Sequence, residues 1–152
     1  MNCDDFFEAE RLEKIGQKEE AFNVYSRFIA FAEECMLNCK TTSSYPNCQS
    51  IQEKLALAYN NRGLLNYQNV EFKAAKLDYT KALEYNPNLA VAFYNRGLIH
   101  YRLSNFQVAV EDMERALFLK PDFEHAQKCL QQSMEDLKMA MAKETCTSNL
   151  LK

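Results

Sequence analysis

The sequence predicts an all-α protein of antiparallel helix pairs, and three observations carry that prediction. Ala56–Leu89 laid over Ala90–Phe123 without a gap gives 13 identities in 34 pairs, against roughly two or three expected from average residue usage, so the chain repeats with a 34-residue period. Within each repeat apolar residues recur at three- and four-residue steps, as Phe72, Ala75, Tyr79, Ala82, Leu83 and again as Phe106, Ala109, Met113, Ala116, Leu117, the spacing of one buried helix face. Only three Gly and three Pro interrupt the 152 residues, while Ala, Leu, Glu, Lys and Gln, which lose little entropy in a helix, dominate the middle of the chain.

The elements follow in order. A degenerate first unit, about residues 2–39, keeps the repeat's spacing in Ala9, Leu12, Gly16, Ala21 and Tyr25, has Phe28 where the other units have Ala, and lacks a closing proline. Between it and the next unit lie 20 additional residues. Two lengthened helices absorb them: Ala21, Tyr25, Phe28, Ala32, Cys35 and Cys39 form one apolar stripe, Ile51, Leu55 and Ala58 begin another, and residues 40–47, with Ser43, Ser44 and Pro46, form the loop. The result expected is a protruding helical hairpin. Repeats 56–89 and 90–123 each hold two helices, with Gly63 and Gly97 allowing the first helix to approach Ala75, Ala82, Ala109 and Ala116 on the second. Asn86-Pro87 and Lys120-Pro121 end the second helices, because a residue before proline is disfavoured in the helical region. From about 122 to 143 Ala126, Leu130, Met134, Leu137 and Met141 mark an amphipathic capping helix, and residues 144–152 read as a disordered tail. Residues 1–143 are expected to form a single domain.

A 34-residue helix pair with an early aromatic (Tyr59, Phe93), a glycine four residues later, an alanine just inside the second helix, then an aromatic or Met, another alanine and a proline resembles the tetratricopeptide repeat family. Residues 56–123 carry the resemblance, and Tyr59 and Phe93 stand where the family often has Trp. The resemblance implies a right-handed superhelical stack, an α-solenoid, whose first helices line a concave groove that binds peptides. It places Leu57, Asn60, Asn61, Leu64, Tyr67 and Gln68, then Val91, Tyr94, Asn95, Leu98, Tyr101 and Arg102, on that groove. Asn60, Asn61, Leu64, Tyr67, Tyr94, Asn95, Leu98, Tyr101 and Arg102 form the expected partner-binding set. An amide carries both donor and acceptor for a peptide backbone, and tyrosine offers a large contact area with a polar tip. Arg62 and Arg96, which follow the asparagines, are assigned instead to structural ion pairs or snorkelling stems.

Some family members hold the acidic C-terminal tail of heat-shock chaperones with a two-carboxylate clamp of lysines, asparagines and an arginine. Asn61 matches its middle asparagine, but the other positions hold Phe6, Glu10, Val91 and Asn95, and a frame one repeat onward gives Asn60, Leu64, Asn95, His125 and Cys129. Neutral and acidic side chains do not neutralise two carboxylates, so the expected partner segment is not that acidic tail.

Charge and composition exclude other classes. A net charge of −3 with scattered Lys and Arg offers no field for nucleic acid. Asp4, Asp5, Glu8 and Glu10 near the start are the reverse of a signal peptide, and no apolar run approaches the ~18 residues of a membrane span. An intracellular protein, cytoplasmic or nuclear, with no membrane partner, follows. The six cysteines (Cys3, Cys35, Cys39, Cys48, Cys129, Cys146) are dispersed and read as reduced thiols, with neither an obligatory disulfide nor zinc expected. His125 and Cys129 share a helical face without a third orienting group. No cofactor, metal or catalytic set is assigned, and the chain is expected to be an adaptor or assembly factor, not an enzyme. The alternative is a structural subunit docking through the hairpin or the convex side.

Overall fold

The computed structural model describes residues 4–41 and 48–150, with side chains described for 4–39 and 48–146. These residues form seven helices and no strand: α1 (Asp4–Lys14), α2 (Lys18–Thr41), α3 (Cys48–Gln68), α4 (Phe72–Tyr85), α5 (Ala90–Arg102), α6 (Phe106–Leu119) and α7 (Glu124–Leu150). The expected all-α class of paired helices is the one found. Two compact units, Met1–Asn88 and Leu89–Lys152, divide at the junction between the two repeats.

In the first unit α1 packs on α2, α2 on α3 and α3 on α4. Phe6 of α1 sits 5.5 Å from Phe28 and 6.3 Å from Tyr25, so the Phe at the alanine position fills space between α1 and α2 and is fully buried. Helices α2 and α3 are long, running 24 and 21 residues against 14 in α4. Thr41 is still helical, and the remainder of the expected loop, residues 42–47, lies outside the described residues. Between α3 and α4, Gly63 faces the Tyr79 ring and the Cβ of Asp78, and Ala75 and Ala82 are fully buried.

In the second unit α5 packs on α6 and α6 on α7. Gly97 repeats the close approach against Met113 and Asp112, and Met113, Ala116 and Ala126 form a buried nucleus with Phe93, Tyr94, Leu98 and Leu130 against it. Both prolines end their helices as read, α4 at Tyr85 and α6 at Leu119.

The turn inside each pair has one construction. Gly16, Val70 and Ser104 all adopt positive φ, at 83°, 64° and 60°. The next residue's N–H reaches back five residues in each case, Gln17 to Leu12, Glu71 to Asn66 and Asn105 to His100. These are Schellman caps, which satisfy carbonyls left over at the helix end.

Two expectations are corrected. Cys39 and Cys48 are joined in a disulfide with their Cα atoms 6.3 Å apart, although dispersal along the chain suggested reduced thiols. An antiparallel hairpin brings the end of α2 beside the start of α3, a juxtaposition that spacing alone does not reveal; Cys35, Cys129 and Cys146 are not in a disulfide, and Cys3 lies outside the described residues. Helix α7 also runs on to Leu150, past the end of the apolar stripe at which the tail was expected to begin. Intrinsic helix formers such as Ala142, Lys143 and Glu144 continue it, and the Thr145 hydroxyl donates to the carbonyls of Met141 and Ala142. Residues 151–152 lie outside the described residues.

Candidate protein-binding faces

On the first unit α1 and α3 present a mixed face. A short chain of hydrogen bonds crosses it: Asn60 Nδ2 donates to Asn61 Oδ1 at 3.2 Å, Asn61 Nδ2 to Tyr25 Oη at 3.1 Å, and Tyr25 Oη to Glu13 Oε2 at 2.9 Å. Burial holds the Tyr25 phenol neutral, its pKa raised well above the ordinary value with the Asn61 bond opposing and Glu13 adding to the rise. Glu10, Glu13, Lys14 and Asn61 line a recess of about 280 Å³. Nearby, Lys54 Nζ lies 4.9 Å from the Phe7 ring centroid, a cation–π contact, and Phe7 and Leu57 are both exposed.

On the second unit the face belongs to α5 and α7. Tyr94 packs on Phe123 with centroids 4.7 Å apart and meets His125 edge-on at 6.5 Å. Tyr101 Oη donates to Asp136 Oδ2 at 2.7 Å, which ties the end of α5 to α7 and raises the phenol's pKa, with burial adding. Tyr101, Lys128, Cys129 and Gln132 wall a cleft of about 160 Å³, the size of one apolar side chain. Burial pushes the Cys129 thiol up, with a hydrogen bond to Tyr94 pulling partly back. That direction is opposite to the lowered pKa of an activated nucleophile.

The residues expected to line the groove therefore divide. Arg102 is exposed; Asn61, Leu64, Tyr67, Tyr94, Leu98 and Tyr101 are half-buried; Asn60 and Asn95, at 6% and 9% exposure, are held inside. Tyr67 leans on Phe72 at 5.6 Å and Tyr101 on Phe106 at 5.6 Å, so each tyrosine anchors its own turn as well as facing outward. Phe7, Lys54 and Lys128 went unread, the first two because the degenerate first unit obscures which turn of α1 meets α3.

Arg62 and Arg96 have the structural role assigned to them. Arg62 grips Asp78 through Nε at 3.0 Å and Nη2 at 2.6 Å, and Arg96 grips Asp112 through Nε at 2.9 Å and Nη2 at 2.7 Å. Both aspartates are buried, and Asn66 Nδ2 adds a 3.0 Å bond to Asp78. The signal for the partners was present, since Asp78 and Asp112 are themselves one of the identities at the 34-residue period.

Profiles of the family described as Tetratricopeptide repeat match residues 56–89 and 90–123, the two units whose glycine contact, bidentate ion pair and proline stop coincide. The chain is a tetratricopeptide repeat protein. Its helix pairs α3–α4 and α5–α6 are those two repeats, and α1–α2 is the degenerate one, about three in all.

Solved tetratricopeptide domains share the fold. The first such domain of Spaghetti (RPAP3), bound to the HSP90 peptide SRMEEVD, matches with a TM-score of 0.66 at 21% identity over 88% of this chain and 90% of that one. UNC-45 from C. elegans, a myosin chaperone in complex with an Hsp90 peptide, matches with a TM-score of 0.70 at 22% identity over 97% of this chain and 15% of that one. The Hsp90 co-chaperone Cns1 from Saccharomyces cerevisiae gives 0.70 at 19%, over 97% and 43%. At such identities the likeness is one of fold. Within this tetratricopeptide repeat protein, the clamp position Phe6 is buried against Tyr25 and Phe28, and Glu10 stands in the recess beside Asn61.

Proposed function

We propose that the chain is a protein-interaction module, an adaptor or assembly factor, in which the α1–α3 face of the first unit or the α5–α7 face of the second takes a partner segment anchored by apolar side chains. The observation that carries this reading is the recess beside Asn61, where Glu10 and Glu13 stand with a single Lys14. An acidic tail placed there would lose hydration against carboxylates with too few cations to compensate. Apolar anchors suit the exposed Phe7 and Leu57 and the cleft beside Tyr101, each contributing about 1.5–3 kcal/mol when fully buried. The Spaghetti and UNC-45 structures, each bound to a chaperone peptide, support a protein partner for this fold; the residues here argue for a different chemistry of segment. The raised thiol of Cys129 argues against its use as a nucleophile.

The test is calorimetry with peptides carrying spaced hydrophobic anchors and with an acidic chaperone C-terminal peptide, on the parent and on the Leu57→Glu and Arg102→Glu variants. Anchored peptides are expected to bind and both exposed substitutions to weaken them; micromolar binding of the acidic peptide would overturn the reading. A second reading, docking through the hairpin or second helices, draws on Leu37, Leu77 and Phe118, which are 65%, 67% and 74% exposed. It gains if Leu77→Glu or Phe118→Glu abolishes partner capture while Leu57→Glu does not.

A further inference from the structure

The apolar stripe of α7 is not consumed by its own unit. Ala126 and Leu130 pack toward Met113 and Ala116. Farther along, Met134, Leu137 and Met141, with Val110 of α6, line an open groove of about 490 Å³. Met134 and Met141 are 53% and 59% exposed, and thioether chains are unbranched and adapt to whatever covers them. Glu135 and Lys138 also line this groove.

We propose that α7 of a second copy of this chain covers the groove in an antiparallel, two-fold contact. A two-fold contact uses one patch on both partners, so the patch must complement itself. This one does: it carries an acid and a base three residues apart on one helix. Two α7 helices running antiparallel about an axis close to Leu137 bring Glu135 of each against Lys138 of the other, and Met134 of each toward Met141. A parallel arrangement opposes like charges, and a segment of one sign satisfies only one of the two. From Gln131 to Met141 the face is about 16 Å long, short of what a permanent dimer buries, so the contact is weak, with a dissociation constant on the order of 100 µM.

Sedimentation equilibrium from about 10 µM to 1 mM, on the Cys146→Ser background so that the exposed Cys146 cannot cross-link copies while the Cys39–Cys48 bridge stays intact, tests the proposal. A monomer–dimer equilibrium is expected, abolished by Met141→Glu with an unchanged thermal melt, since that side chain is exposed. Glu135→Lys or Lys138→Glu alone should weaken the dimer about threefold to tenfold, and the double exchange should restore it. A chain monomeric throughout the range, a dimer indifferent to Met141→Glu, or a double exchange no better than either single one overturns the proposal. So does a monomer whose α7 instead binds lipid vesicles or a foreign helix.

Discussion

Val70 sits at φ 64°, in the left-handed region where a β-branched side chain meets its own backbone. It stays there because the Schellman cap of α3 needs that conformation, with Val70 N–H on Tyr67 O and Glu71 N–H on Asn66 O. The side chain contributes little packing in return, being 68% exposed. Val70→Gly is therefore expected to stabilise the protein by about 0.5–1 kcal/mol after glycine's own entropy cost, measured by urea denaturation; a loss of stability would show that the valine is used. The sequence marks this turn only at Gly16. At Val70 and Ser104 the residue type conceals the conformation, and only the helix-end geometry shows that all three units turn alike.

At the scale of helix packing, the two repeat glycines look equivalent in sequence but differ in what faces them. A Cβ on Gly63 would lie 2.8 Å and 3.0 Å from carbons of the buried Tyr79 ring, whereas on Gly97 it would meet the methyl end of Met113 at 3.0 Å, with the aspartate Cβ at 3.2 Å in both. A ring locked in the core cannot yield, and a thioether methyl can. Gly63→Ala should cost about 1–3 kcal/mol, while Gly97→Ala, offset by alanine's better helix propensity of about 1 kcal/mol, should stay near neutral; equal effects in denaturant titrations would refute the distinction.

The tyrosines that tie the first unit's helices together also set its alkaline limit. Burial raises the pKa of Tyr25, Tyr59 and Tyr79 above the ordinary phenol value, and Glu33, which accepts the Tyr59 hydroxyl's bond at 2.6 Å, adds to the rise at Tyr59. In the unfolded chain these phenols ionise near pH ~10, so above that pH the folded state holds more protons than the unfolded one. Their contribution is complete below about pH 10 and declines as pH climbs toward the folded values, by about 1.4 kcal/mol per pH unit for each phenol. Denaturation midpoints followed from pH 8 to 11.5 should fall only in the upper part of that range.

For the molecule as a whole, the Cys39–Cys48 bridge closes a short loop between two long neighbouring helices, α2 and α3. Constraint of the unfolded chain by a loop of this size contributes about 2–3 kcal/mol. Peptide mapping without reductant should recover that pair, and dithiothreitol or Cys48→Ser should lower the melting temperature. Thiol counting under denaturing conditions should rise by two on reduction of this bridge.

The sequence by itself determined the helices, the 34-residue period, the proline stops and the structural role of Arg62 and Arg96, because each is a matter of spacing along one chain. Asn60 and Asn95 could not be separated from Asn61 in the same way: all three lie on the first helices, and only the folded structure shows that two of them are buried. The Cys39–Cys48 pair, the Glu10–Glu13 recess beside Asn61 and the uncovered end of α7 were likewise decided by tertiary structure. Each joins residues that are distant in sequence or lie on different helices, and periodicity fixes the face of a helix without fixing what comes to lie against it.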